Sequence, residues 1–394
     1  MLIRHRIVLI SLLMPIILLF ESAAAVAAPE IAHPPEPANH AEAAALIDVA
    51  SGRILYEKQG DQQMRIASLT KIMTAIVAIE HGSLKGEVTV SRKAFAKEGS
   101  SLFLKLGEQM KLEDMLYGLM LRSGNDAATA IAEHVGGSEE GFVFLMNAKA
   151  EELGLNHTHF ANPHGLDEED HYSTANDLAK LTAYALQNPV FREIVKTEAK
   201  KAPNPNEQWD YSWQNKNKML RLYEGADGVK TGYTKKAFRC LVSSATRDGR
   251  QLAAVTLNDG DDWNDHSRML DYGFRYYPVV EITQKNTLLN GYNFVTGASF
   301  SYPLAKGEER LVSKKLVLMS TEAGSSRSDR ASFGLRGRID MLLDGNLIGT
   351  VPVYEKGSYI PPGKQASSPP ASAGIQESSW RNAWSEVMHR LFSA

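Results

Sequence analysis

Apolar residues recur at helical spacing from Ser68 through Ile72, Ala75, Ile76 and Ile79, and again at Leu112, Met115, Leu116, Leu119 and Met120. Apolar positions three and four apart predict helices with one buried face. Residues 122–125 interrupt the second stretch and periodicity resumes over 127–135, which puts Ser123 in a tight connection between two helices. Strand-like runs frame this helical region. Residues 43–49 and 53–57 around Ala50-Ser51-Gly52 read as one hairpin, and 241–245 and 252–257 around Arg247-Asp248-Gly249 as another. A helical stretch at 262–277 closes the first domain. From about 279 to 355 the pattern shortens to strand-like runs, such as 311–319 and 339–353 around Asp344-Gly345, and predicts a separate β-rich module.

The two ends follow other rules. Arg4, His5 and Arg6 precede an apolar stretch at 7–20 and a run of small residues at 22–27. That order is a secretory signal peptide over 1–27, too short to span a bilayer and interrupted by Pro15. Residues 28–40, rich in Pro and Ala, read as a linker, and 357–378 as a second one. The expected domains are therefore 41–278 and 279–356, with a last segment at 379–394. There Trp380, Trp384, Val387, Met388, Leu391 and Phe392 share one helical face. Beyond a linker this face has no domain core to enter, so it predicts an amphipathic helix lying on a membrane surface. Arg381 and Arg390 are balanced by Glu377 and Glu386, so attachment should rest on apolar burial and resist salt. Docking back on the β module is the alternative.

A length of 394 residues exceeds one ordinary core and agrees with two domains plus tails. With 43% hydrophobic and 23% charged residues the composition is globular, and a formal net charge of −3 gives no basic surface for nucleic acid. Cys240 is the single cysteine, so no internal disulfide can form. Its place in the apolar run Cys240-Leu241-Val242 predicts a small buried residue rather than a reactive thiol.

The candidate chemistry lies in three short motifs: Ser68-Leu69-Thr70-Lys71, Ser123-Gly124-Asn125 and Lys230-Thr231-Gly232. Each alone is weak, since S-x-x-K or S-x-N arises by chance roughly once in a chain this long. In this order they match the trio of penicillin-binding proteins and class A β-lactamases, with serine as nucleophile. A serine hydroxyl needs a base within hydrogen-bond reach. On a helix, Lys71 shares a face with Ser68. Burial and the charge of Lys230 would lower its pKa so that it can accept a proton. Ser123 offers a second hydroxyl for proton transfer, and Asn125 an amide for a substrate carbonyl and the lysine region. Lys230 and Thr231 set a cation and a hydroxyl on a strand edge, suited to a terminal carboxylate. Gly232 lets a substrate backbone approach that strand.

The chain resembles the serine-type D-alanyl-D-alanine carboxypeptidases of the peptidase S11 family, the low-molecular-weight penicillin-binding proteins, and especially those of Gram-positive spore-forming bacteria. Besides the trio, Asp114-Met115-Leu116-Tyr117-Gly118-Leu119-Met120, Asn162-Pro163-His164-Gly165-Leu166-Asp167, His171-Tyr172-Ser173-Thr174-Ala175 and Asp227-Gly228-Val229 carry the likeness. It implies an α/β (α+β) penicillin-recognising domain with an antiparallel sheet flanked by helices, a small all-β second domain and an anchoring helix. It also implies Ser68 as acyl-ester nucleophile, Lys71 as proton acceptor, and Ser123 and Asn125 as relay and substrate contacts. Lys230 would bind substrate, with the backbone N–H groups of Ser68 and Tyr233 as oxyanion hole. The implied substrates are peptidoglycan pentapeptide stems and β-lactam antibiotics, met at the outer face of the cytoplasmic membrane. No cofactor and no metal is expected. Phe238-Arg239 departs from relatives that carry Gly followed by an aromatic.

Two rival chemistries are weighed against this. A class A-like β-lactamase needs an acid that activates the deacylating water, for which Glu168, Glu169 and Asp170 are candidates. A metal peptidase would draw on His157, His159, His164 and His171 with Asp167 and Asp170, but their spacing matches no usual ligand pattern. A non-catalytic wall-binding protein is the third alternative.

Overall fold

Strands β1 (Ala43–Asp48), β2 (Ile54–Lys58), β3 (Ala226–Thr234), β4 (Phe238–Arg247) and β5 (Arg250–Leu257) form one antiparallel sheet in the order β2-β1-β5-β4-β3. Ala43, Ala45, Ile47, Val242, Ala253 and Val255 face the larger core, while Ala44, Leu46, Leu241, Leu252 and Ala254 face a second core on the other side. Successive side chains point to opposite faces, and both faces are covered, so these strands read as continuous apolar runs. The turn from β4 to β5 is two residues, Asp248 (φ 50°) and Gly249 (φ 78°), the left-handed pair that matches hairpin twist. β3 is left at the edge of the sheet.

These features belong to a computed structural model that describes residues 34–319 and 334–360. The expected signal peptide, the start of the 28–40 linker, the 357–378 linker beyond Ile360 and the 379–394 helix lie outside the described residues. Among the described residues no helix is long and apolar enough to cross a membrane.

Helices α1 (Lys71–His81), α2 (Leu112–Arg122), α3 (Asn125–Gly136), α4 (Glu139–Glu152) and α5 (Ala175–Gln187) surround the larger core with residues such as Ile72, Ile76, Leu116, Leu119, Ile131 and Leu178. Helix α6 (Asp262–Tyr276) covers the opposite face with Met269, Leu270 and Tyr272. One boundary differs from the pattern of apolar residues. The α-helix begins at Lys71, and Ser68 lies in a single 3₁₀ turn, Ala67–Thr70, ahead of it. Ala67 has φ 46°, a left-handed conformation that no α-helix can include, and the chain enters through the tighter turn. Residues three apart eclipse in a 3₁₀ turn, which aligns Ser68 with Lys71.

The second module is all-β. Phe294–Thr296, Asn346–Glu355, Leu335–Leu343 and Val312–Leu318 form a four-stranded antiparallel sheet in that order, and Val279–Thr283 pairs with Phe300–Pro303. Phe300, Tyr302, Ile339, Met341, Val351 and Val353 fill its core. Arg53, at the start of the β1–β2 hairpin's second arm, reaches this module: its guanidinium makes two bonds to Glu308, at 2.8 and 2.7 Å, and donates to the Pro303 carbonyl at 2.5 Å. The rings of Tyr277 and Tyr302 lie 5.1 and 5.5 Å from it.

Candidate active site

Lys71 is the centre of the site. Its side chain has no solvent exposure, and its Nζ donates to Ser68 Oγ at 3.0 Å, Asn125 Oδ1 at 2.7 Å and the His164 carbonyl at 2.5 Å. Burial, then the charges of Lys230 and Lys216, hold the ammonium well below the usual lysine range, and only Asp126 pulls the other way. Two of the three acceptors cannot donate. Asn125 is oriented by its own Nδ2, which donates to the Glu98 carbonyl at 2.8 Å, and a backbone carbonyl has no proton. A neutral Lys71 therefore keeps its two N–H groups on Asn125 and His164 and turns its lone pair to the one partner with a proton to give, Ser68.

Ser68 itself is partly exposed, so its oxygen is reachable from solvent. Two segments press on its turn. Gly232 on edge strand β3 runs past it, and a Cβ there would stand 3.3 Å from the Ser68 nitrogen and 3.2 Å from the Ile66 carbonyl. The space beside Gly232 is thus occupied by the serine turn itself, a second reason for glycine besides substrate approach. Gly165 (φ 84°) touches the turn from the other side.

Ser123 ends α2 in a left-handed conformation (φ 67°), its N–H donating to the Leu119 carbonyl at 3.0 Å. It is buried, but it is not among the three hydrogen-bond partners of Lys71. Lys230 is buried too, its Nζ donating to the Thr231 carbonyl at 2.7 Å. Burial, then Lys216, brings it down to about 7. Thr231 is half-buried on the edge strand, and Tyr233 is exposed. The three motifs thus meet: Asn125 by contact, Gly232 by proximity to Ser68, and Lys230 through its effect on the charge of Lys71.

Lys216, which lowers both lysines, was invisible in the sequence because it belongs to no motif. The backbone hydrogen bond from its N–H to the Leu121 carbonyl ties its loop to the end of α2 beside Ser123. The carbonyls of Glu98 and His164 were equally hidden, since backbone groups leave no residue signature.

The rival donors go elsewhere. Glu168, Glu169 and Asp170 are exposed; the Glu168 carboxylate accepts from Asn162 Nδ2 at 2.8 Å, and none of the three hydrogen-bonds Ser68 or Lys71. His159 bonds the Asp170 carbonyl at 2.6 Å and His171 bonds Thr70 Oγ1 at 2.7 Å, so these imidazoles serve the loop. Among the described residues, one group of possible metal donors converges, His40, Asp261 and Asp265, and Arg268 already bridges both carboxylates. Cys240 is buried with its Sγ 3.6 Å from the Ala237 carbonyl, and burial pushes its thiol up to about 12.

The sequence model of the Peptidase S11 family, described as D-alanyl-D-alanine carboxypeptidase, matches residues 29–261. The chain belongs to the S11 peptidase family. It is 38% identical over 261 residues to the D-alanyl-D-alanine carboxypeptidase DacF of Bacillus subtilis, covering 64% of this chain and 66%, just under two thirds, of that protein. A serine-to-alanine mutant of the Streptomyces K15 DD-transpeptidase superposes with a TM-score of 0.58 at 34% identity, over 61% of this chain and 99% of that one. The carboxypeptidase DacD of Francisella tularensis shares the fold over 89% of this chain and 99% of its own, with a TM-score of 0.65 at 24% identity. Ser68 and Lys71 both fall inside the matched residues, and the structure holds Ser68 Oγ and Lys71 Nζ 3.0 Å apart.

Proposed function

We propose that the protein is a serine-type D-alanyl-D-alanine carboxypeptidase that trims peptidoglycan pentapeptide stems. The sealed Lys71 amine with its lone pair toward Ser68 carries this reading. Ser68 Oγ attacks the penultimate D-alanine carbonyl while its proton passes to Lys71. The C–N bond breaks, the terminal D-alanine leaves with a proton returned to its amine, and water hydrolyses the acyl ester. The oxyanion would be met by the backbone N–H groups of Ser68 and Tyr233. Ser123 would relay that proton, and Asn125, which accepts from Lys71 Nζ at 2.7 Å, would keep the amine aligned. Lys230 and Thr231 receive the terminal carboxylate. A β-lactam acylates the same oxygen by opening its ring.

Mass spectrometry after incubation with penicillin tests the assignment. The expected result is one adduct on the peptide bearing Ser68, absent from Ser68→Ala. Equal labelling of both proteins would remove Ser68 as nucleophile.

The same reading extends to location. The chain would be exported by its 1–27 segment and held on the outer face of the cytoplasmic membrane by residues 379–394. The β module would act as a spacer that lifts the site toward the wall. Cosedimentation with lipid vesicles should fall when residues 379–394 are removed. Equal partitioning of both forms would exclude the anchor. Deleting the module should impair hydrolysis of intact wall more than of soluble peptide.

A further inference from the structure

His164 does more than lend a carbonyl. Its ring is buried, and its Nδ1 accepts from the Leu166 N–H at 3.3 Å. An imidazole that accepts at Nδ1 carries its proton at Nε2 in the neutral form. That Nε2 is buried with no hydrogen-bond partner among the described residues, and the charged group facing it is Glu139, whose Oε1 lies 3.5 Å away. Glu139 is in turn fixed at the start of α4: its other oxygen pairs with Lys93 at 3.0 Å and Lys97 at 3.5 Å. A continuous line of contacts therefore runs from exposed Lys93 and half-buried Lys97 through Glu139 and the His164 ring to the His164 carbonyl, and from there to Lys71 Nζ.

We propose that Glu139 is a positioning residue for the acylation step: by holding the buried His164 ring, it aims the His164 carbonyl at Lys71 and so keeps the amine's lone pair on Ser68. The inference rests on the carboxypeptidase reading above and deepens it. Without that hold the carbonyl swings from Lys71, the amine regains rotational freedom, and the fraction of time its lone pair meets Ser68 falls. Misplacement of a catalytic group by about 1 Å costs up to a hundredfold in rate. The ammonium also loses one of its three acceptors, which disfavours the charged form.

The charges around this line agree with the role. Burial alone would raise the Glu139 carboxyl, but His164, Lys93 and Lys97 hold it down to about 2. His164 stays below the usual histidine range because burial, Lys71 and Lys97 outweigh Glu139, and His171 also lies close enough to feel its charge. The ring is therefore neutral and the carboxylate ionised across the working range.

The test compares Glu139→Ala and Glu139→Gln with wild type, using a fluorescent penicillin for the acylation rate across pH and a D-alanyl-D-alanine peptide for kcat and KM. Glu139→Ala should acylate roughly ten- to a hundredfold more slowly, with KM within about twofold and the acid limb of the rate moved to lower pH. Glu139→Gln, whose amide oxygen can occupy the same place against Nε2, should recover most of the rate. Unchanged acylation and an unmoved limb in Glu139→Ala would overturn the proposal. So would a Glu139→Gln as slow as Glu139→Ala. Nitrogen NMR of wild type gives a readout that needs no variant to fold: His164 should be the Nε2–H tautomer, and an Nδ1–H ring would overturn the proposal. Failure of wild type to be labelled at Ser68 would instead strike the carboxypeptidase reading and leave the tautomer measurement standing.

Discussion

Gly165 rests against Ala67, the residue before Ser68, so tightly that a Cβ built on it would stand 2.0 Å from the Ala67 carbonyl oxygen. Gly165 also has φ 84°, where an L side chain is strained. The loop that supplies the His164 carbonyl to Lys71 is thereby docked on the turn that supplies Ser68. Gly165→Ala must push the two apart. It should lower stability by about 1–3 kcal/mol and slow penicillin acylation at least tenfold. Paired melting and acylation measurements check this; a wild-type acylation rate would show that the contact does not bear on the chemistry.

The two buried lysines predict a bell-shaped kcat/KM. In the proposed mechanism activity needs Lys71 neutral, and its depressed pKa gives the ascending limb. Lys230, brought to about 7, is cationic below that pH and loses its charge above it, so recognition of a terminal carboxylate fades on the alkaline side. Lys230→Arg keeps its charge at all working pH and should remove the descending limb. A descending limb that survives in Lys230→Arg would assign it to another group.

Acid should unfold the protein through its buried imidazoles. His266 lies between Ser243 Oγ (2.5 Å) and Thr256 Oγ1 (3.0 Å), and burial lowers it from 6.5 to about 3; His171 is lowered to about 3 as well. A histidine depressed in the fold takes up its proton more readily when unfolded. Its contribution is whole above pH 6.5 and drains away as pH falls toward 3. In His266→Gln the slope of unfolding free energy between pH 6 and 4 should flatten by about 1.4 kcal/mol per pH unit. Urea titrations over that range measure it, and an unchanged slope would show His266 is not a source of the acid sensitivity.

Arg53 and Glu308 should hold the β module to the catalytic sheet. The pair is bidentate, and both side chains are 14% exposed. Removing one partner strands the other, at a cost of about 3–5 kcal/mol for a buried pair and less at this exposure. Arg53→Ala should speed proteolytic cleavage near residues 277–280. Arg53→Lys should fail to restore protection, because an ammonium cannot reproduce the fork. Full protection in Arg53→Lys would reduce the contact to simple charge.

What was legible in the sequence was what side-chain periodicity and side-chain chemistry can write. The hairpin around Ala50-Ser51-Gly52, the helix at 112–122, the break at Ser123 and the Asp248-Gly249 turn all follow local rules and appear where expected, while the helix expected from Ser68 becomes α-helical only at Lys71. The 3₁₀ turn at Ala67–Thr70 was not legible, because a left-handed alanine has no propensity signal and is imposed by neighbours such as Gly165. The S-x-x-K, S-x-N and K-T-G motifs named the side chains around Ser68. They could not name Lys216 or the carbonyls of Glu98 and His164, whose positions are set by tertiary packing alone. Phe238 has φ 57°, so the chain holds a left-handed, glycine-like backbone there with an exposed ring attached.

Lys71, Lys230 and Lys216 lie close enough for their charges to act on one another, in a chain whose formal charge is −3. Below about pH 7, where Lys230 keeps its charge, the site therefore presents a cation within a chain of net negative charge. Anionic ligands are drawn in from a distance, and dissolved ions dampen that pull over about 10 Å at 0.1 M ionic strength. Raising salt should slow capture of a carboxylate-bearing peptide while leaving its esterified, uncharged counterpart nearly unaffected.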